Sequence, residues 1–425
     1  MTESAARKLF FVAVTFLLTA VAFGYGLAVE SLRIWPYALV QSGGEAIKSV
    51  LEYGTLVPAG RVVKVPAGAA RERFKVHDAG RMQDGFYVFL GWDSELSQYV
   101  AWLYDQKGII HHRWVFDYEA LDPRGPTRGH GNTHGFWAMP DGSVVVNFDN
   151  GDMLARLDAC SRPIWKKPGT YHHLISRADD GSLWMWRGDG TPYGHFHYMA
   201  NIDPDTGKTI REIGLVEDVI RREGDQSAIF RVRPDFNFVK SDLEKDSKYE
   251  RDIFHPNDVD VLSAELAPRF PMFEAGDLLL SVRRLNLVAV LDPDDLRLKW
   301  WSTGPWWSQH DPDFAPDGTI SVYDNNTDRG RSEILKMDPA TRQFRNELFR
   351  GDVRFVSNSM GAHQYLPNGN VLIVVPLEGR ILEVTATGDY VMEFNNLSTV
   401  GPNYNDHVEN GVWLPADYFQ SMPSC

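Results

Sequence analysis

The sequence is poor in cysteine, with two in 425 residues, and this excludes the disulfide-stapled class of small secreted folds. Cys160 and Cys425 allow at most one bridge, in an oxidising compartment. A basic stripe is also missing. The formal charge of −14 is spread along the chain, and without a Lys/Arg surface to neutralise phosphates the sequence points away from nucleic acid. Long apolar runs are absent with one exception, Leu9 to Val29, which carries no charge and is long enough to cross a ~30 Å hydrocarbon core as a helix. Arg7 and Lys8 precede it. The expectation is a retained single-pass anchor over residues 1–30 in an inner membrane, with everything after Glu30 exported to the periplasm. A signal peptide cleaved near Ala20-Val21-Ala22 is the rival reading.

What is present is enough apolar side chain, 43% of the residues, to bury a large core. A weak internal repeat of roughly 35 to 50 residues sets its form. It reads HGFWAMPDGSVVVNFDN from His134, HHLISRADDGSLWMW from His172, HDPDFAPDGTISVYDNN from His310 and HQYLPNGNVLIVV from His363. Each unit opens on histidine, turns at Asp-Gly or Asn-Gly, and continues as a β-rich strand. Those dipeptides predict two-residue hairpins with positive φ at both turn positions. A fifth unit opens at His255 with a longer loop, and Phe86 to Trp114 reads as a further blade without the opening histidine. The pattern predicts an all-β fold, a six-bladed β-propeller over residues 86–425. Residues 31–85 are expected as a membrane-proximal linker, and 217–251 as an insertion between blades.

Hairpin counting then places side chains. Centred on Asp317-Gly318 it pairs His310 with Asn325, and centred on Asp141-Gly142 it pairs His134 with Asp149. Folding back of the fifth unit brings Arg283 near His255. Since the first strand of a blade is the innermost, His134, His172 or His173, His255, His310 and His363 are expected to converge at one mouth of the channel. Trp306 or Trp307 is expected beside them, available to stack on an aromatic substrate. His195, His197 and His407 fall outside the repeating position and receive no role.

A histidine ring admits two chemistries. It can bind a transition metal, or supply a nucleophile and acid/base groups for an anionic substrate. No carboxylate is evident at a matching position, whereas Arg283 and Asn257 are, and an arginine disfavours a cation. The residues therefore favour an oxyanion, with no metal and no cofactor. A non-catalytic, membrane-tethered scaffold and a different, metal-dependent enzyme remain open at this point, as does assembly into a homo-oligomer or membrane complex.

The order HPNDVDVL, LSVRR, WWSQHDPDF, ISVYDNN, GAHQYLPNGNVLIVV and GRILEVTATGDYV resembles the bacterial arylsulfate sulfotransferases, from Gly131 to Phe394. The resemblance implies a six-bladed propeller that moves a sulfuryl group from an aryl sulfate to a phenolic acceptor without the nucleotide sulfate donor. It implies that His310 is the nucleophile, transiently sulfated. His255, Asn257 and Arg283 then match residues that grip the sulfuryl oxygens and handle the phenolic proton, with His172 or His173 as a further site histidine. His134, His363, Asn325 and Trp307 complete the expected substrate-binding set.

Overall fold

A chain that alternates β-formers with Pro-Asp-Gly turns folds into hairpins, and the turn chemistry decides their register. In the computed structural model, residues 3–32, 36, 61–122, 132–149, 152–189, 197–222, 226–232, 253–346, 348 and 353–425 are described. Four repeats turn alike, at Pro140-Asp141-Gly142, Asp179-Asp180-Gly181, Pro316-Asp317-Gly318 and Pro367-Asn368-Gly369. The loops hold three residues, where two were expected: in the second blade Met139 N–H donates to Ser143 O and Gly142 N–H to Met139 O. Only the glycines enter the left-handed region, at φ 81° to 86°. This spares Asp or Asn the cost of positive φ, and its side chain instead accepts the N–H two residues on, as Asp141 does from Ser143.

Among the described residues, six antiparallel sheets of four or five strands form the blades, beside one two-stranded sheet. Blade 1 contains Phe86–Asp93, Gln98–Asp105 and Ile110–Phe116, and its innermost strand is the C-terminal Val408–Leu414. Blade 2 runs from Thr133–Ala138 to Pro163–Pro168, blade 3 from Tyr171–Arg177 to Thr209–Gly214, and blade 4 from Pro256–Val261 to Leu298–Ser302. Blade 5 runs from His310–Phe314 to Phe344–Arg345, and blade 6 from Ala362–Tyr365 to Tyr390–Asn395. The blade read from Phe86 to Trp114 is therefore real, but its inner strand comes from the far end of the chain, directly after His407.

Middle strands such as Val144–Phe148 and Val371–Val375 are buried along their whole length, because neighbouring blades cover both faces. The outer strand Pro163–Pro168 alternates between exposed and half-buried positions. Six apolar clusters form, one between each pair of successive blades, and the cluster of Phe89, Tyr104, Leu372 and Phe394 closes blade 6 onto blade 1. Tryptophans span the same seams through their indole N–H: Trp114 donates to Gly142 O at 3.1 Å, Trp186 to Asp258 O at 2.8 Å, and Trp300 to Pro339 O at 2.9 Å.

The segment expected as a linker contributes strands. Val62–Lys64 pairs with Tyr404–Asp406, and Phe74–Val76 adds a fifth strand outside blade 6. Of the insertion expected at 217–251, residues 223–225 and 233–251 lie outside the described residues, and Leu215–Ile220 forms one helical turn against blade 3. Cys160 and Cys425 are joined as a disulfide with Cα atoms 5.1 Å apart. Glu3–Leu32 is a single helix, and its stretch Arg7–Val29 is long and apolar enough to cross a membrane.

Candidate functional site

The inner strands begin irregularly. Ladders slip by one residue next to His134, His255 and His310 and by two next to His172, and His173, His255 and Asp311 take φ of 61°, 47° and 48°. Such bulges re-aim side chains at a sheet edge, and left-handed non-glycine residues cost about 1–3 kcal/mol, a strain that concentrates at functional sites. Asparagines brace the same ends from the neighbouring blade. Asn147 Nδ2 donates to His173 O at 2.7 Å and Asn257 Nδ2 to Gln309 O at 2.8 Å, while Asn325 Nδ2 donates to Ser357 O at 2.7 Å and Met360 O at 2.6 Å. The Asn257 amide nitrogen thus holds the backbone that leads into His310.

Five of the expected histidines come together around His173. Its ring centre lies 5.0 Å from that of His134, 4.9 Å from His172, 5.3 Å from His255 and 6.5 Å from His310. Backbone pairing between His310 and Asn325 does not occur, since the bulge sets His310 opposite Tyr323. The side chains meet nevertheless, with His310 Nδ1 2.6 Å from Asn325 Oδ1. Likewise Thr133, not His134, pairs across the ladder, yet His134 Nδ1 lies 3.0 Å from Asp149 Oδ2. Arg283 donates its backbone N–H to His255 O at 3.1 Å, and its positive charge acts on His310.

His363 does not join them. Its fully covered ring turns to blade 5, with Nδ1 2.7 Å from Asp311 Oδ2 and Nε2 2.8 Å from Ser321 Oγ. Trp306 is buried and donates to Asn286 O. Trp307 is 48% exposed, with the Arg329 guanidinium 5.7 Å from its ring centre.

Electrostatics sorts the cluster. Burial, then the Arg283 charge, holds His310 well below the usual histidine range, so it is neutral at pH 7. Burial and mutual repulsion do the same for His172 and His173. Burial also pulls His134 down, but the charge and hydrogen bond of Asp149, helped by the Glu409 charge, override it and lift the pKa to about 8.

Sequence reasoning missed two histidines and the acids. His197 packs 5.5 Å from His172 between ring centres, and His407 occupies the opening position of blade 1, 3.2 Å from Glu409. A sixth opening histidine was the signal: six blades need six inner strands, and only the C-terminal strand was left to supply the last. Carboxylates are in fact at hand, because Asp149 pairs with His134 and Glu409 with His407, and Asp258, Asp260, Asp311 and Asp313 follow along the inner strands. Burial raises Asp258 and Asp313, and brings Asp260 to about 7. The alternation NDVD and HDPD was visible in the sequence as a period-two acidic face.

A family model described as arylsulfotransferase (ASST) matches residues 136–397. No curated protein matches the chain. Similar solved structures include TolB from Acinetobacter baumannii, at 10% identity over 78% of this chain and 67% of that chain with a TM-score of 0.48. A protein of unknown function from Bacteroides caccae covers 76% of this chain and 99% of its own at 10% identity and TM-score 0.46. Virginiamycin B lyase from Staphylococcus aureus covers 63% of this chain and 71% of its own at 11% identity and TM-score 0.36.

Proposed function

The chain belongs to the arylsulfotransferase family, and from that premise we propose that it transfers a sulfuryl group from an aryl sulfate to a phenol through a sulfohistidine at His310, without the nucleotide sulfate donor. The observation that carries this reading is the hold on His310. Asn325 Nδ2 is committed to two carbonyls, so its Oδ1 faces His310 and accepts the Nδ1 proton at 2.6 Å. The nucleophilic lone pair is then on Nε2. That atom accepts the Met360 N–H at 3.2 Å, a long bond that yields as the sulfur approaches.

In the first half-reaction Nε2 bonds to sulfur while the aryl S–O bond breaks, and the departing phenolate takes a proton from His255. Phenols have a pKa near ~10, so an acid at the leaving oxygen eases the step. Arg283 and the His134 imidazolium bear the charge on the sulfuryl oxygens, and Asn325 accepts a stronger hydrogen bond as the ring becomes cationic. In the second half-reaction His255 takes the proton of the acceptor phenol, whose oxygen attacks sulfur. The N–S bond breaks and neutral His310 returns. Trp307 offers its exposed face to the aromatic rings of donor and acceptor.

The Cys160–Cys425 bridge and the apolar Arg7–Val29 stretch behind Arg7 and Lys8 support a propeller tethered to the inner membrane on the oxidising, periplasmic side. The test is to mix purified protein with 4-nitrophenyl sulfate and weigh it intact. A single sulfuryl adduct in the wild type that is missing in His310→Ala is expected. Absence of both adduct and released nitrophenol overturns the assignment.

A further inference from the structure

His310 opens the inner strand of blade 5, but the hairpin alone does not decide where its ring points. The ladder keeps one register from Phe314 to Pro312 and then slips by one residue, with Asp311 as the extra residue. Asp311 takes φ of 48°. A one-residue slip changes the face to which a side chain belongs, so the turn at Asp311 aims His310. A left-handed aspartate is strained, and it persists only where the surrounding groups fix it.

Blade 6 supplies that hold. Asp311 Oδ2 accepts two N–H bonds from His363, one from its backbone and one from Nδ1 at 2.7 Å. With the proton on Nδ1, Nε2 accepts the Ser321 hydroxyl at 2.8 Å, nearer than Asp313 Oδ2 at 3.5 Å. Ser321 lies on Ile320–Asp324, the strand that runs into Asn325, whose Oδ1 takes the His310 proton. One imidazole thereby ties the residue after His310 to the strand that carries its hydrogen-bond partner. The same entry into blade 6 brings the Met360 N–H to His310 Nε2. Ser321 is buried and the His363 ring is fully covered, so neither reaches a substrate.

We propose that His363 is a positioning residue for sulfuryl transfer: by gripping Asp311 it holds the left-handed turn that presents His310 Nε2 to sulfur. The role rests on His310 as the nucleophile and adds a residue that acts only through it. Loss of the grip leaves His255, Arg283 and Trp307 in place, so it slows the chemical step and spares donor binding. Two substitutions separate the bonds of the ring. The amide nitrogen of asparagine stands close to where Nδ1 does and can still donate to Asp311, whereas that of glutamine extends towards the place of Nε2.

The full chain in detergent is mixed with 4-nitrophenyl sulfate without acceptor, and the nitrophenol burst is followed over a range of donor concentrations, beside intact mass and melting temperature. In His363→Gln the limiting burst rate is expected to fall roughly 10²-fold, with the half-saturating donor concentration unchanged, and in His363→Asn to return to within about fivefold of the wild type. Equal losses in the two variants, or losses that only follow the melting temperature, would make His363 a packing residue and overturn the proposal. An undiminished rate in folded His363→Gln overturns it as well. Asp311→Asn keeps the shape of the side chain and one acceptor, and serves if His363→Gln does not fold. Its burst is expected to slow about tenfold at unchanged half-saturation, and a wild-type rate there overturns the grip. A wild type that forms no adduct overturns the sulfuryl reading and this role with it, whereas a normal wild-type adduct beside unaffected variants overturns the role alone.

Discussion

His310 Nδ1 lies 2.6 Å from Asn325 Oδ1, and the same asparagine holds the backbone carbonyls of Ser357 and Met360. One side chain therefore sets both the tautomer of the proposed nucleophile and the loop above it. Turning the amide over would forfeit two hydrogen bonds and set a donor against a donor.

Asn325→Ala removes that hold. Misplacing the proton on a catalytic imidazole and freeing its ring is expected to slow formation of the sulfuryl adduct by about 10²- to 10⁴-fold. Stopped-flow release of nitrophenol in a single turnover measures it. A rate within threefold of the wild type would remove Asn325 from the mechanism.

His134 predicts the alkaline limb of activity. Its pKa is raised to about 8 by Asp149 and Glu409 against the pull of burial, so the imidazolium is present at pH 7 and is lost as pH rises through about 8. Turnover should fall over that range. The stabilisation from the His134–Asp149 pair follows the same window: complete below the ordinary histidine pKa near 6.5 and gone above about 8. In Asp149→Asn the alkaline fall should move to lower pH, read from kcat against pH.

Gly135 has no room for a side chain. A Cβ there would stand 2.2 Å from His173 O and 2.4 Å from Asn147 Nδ2, so Gly135→Ala must push apart the brace between blades 2 and 3. A loss of about 1–3 kcal/mol by urea unfolding is expected, together with reduced adduct formation because His134 and His173 flank the shifted backbone. Unchanged stability would show that the two blades can separate freely there.

Trp307 tests the acceptor subsite. Aromatic stacking is worth about 0.5–1.5 kcal/mol, so Trp307→Ala should raise the KM for a phenolic acceptor roughly 2- to 10-fold with little change in kcat. A large drop in kcat with unchanged KM would instead tie this residue to the chemical step.

The Cys160–Cys425 bridge joins a turn of blade 2 to the chain end across 265 residues of sequence. Reduction, or Cys160→Ser, is expected to destabilise the propeller by about 2–4 kcal/mol. A lower melting temperature with dithiothreitol, absent in the serine variant, would establish it.

Much of the fold was legible because it is periodic. A turn dipeptide followed by a β-rich strand recurs with histidine at a constant distance before it, and that pattern implies blades whatever the packing. Side-chain partnership was legible as well: counting from the turn found His310 with Asn325 and His134 with Asp149, even though the backbone register differs. The error came from two features that add, a three-residue loop and a bulge, each moving the pairing by one residue in the same direction, and neither of which a count of residues can detect.

The aims of individual side chains were not legible. His363 shares its motif position with His310, yet it pairs with Asp311, because the left-handed φ of 48° at Asp311 swings that carboxylate onto the next blade. His407 was passed over for the opposite reason, since its blade is closed by a strand some 300 residues away from its neighbours in sequence. Local chemistry, expressed in turn formers, alternation and one apolar run, was enough to determine the repeating unit and the residue types at its head. Which heads face one another, which are charged and which are turned aside was decided only when the ring closed, because burial and long-range charge act through space and not along the chain.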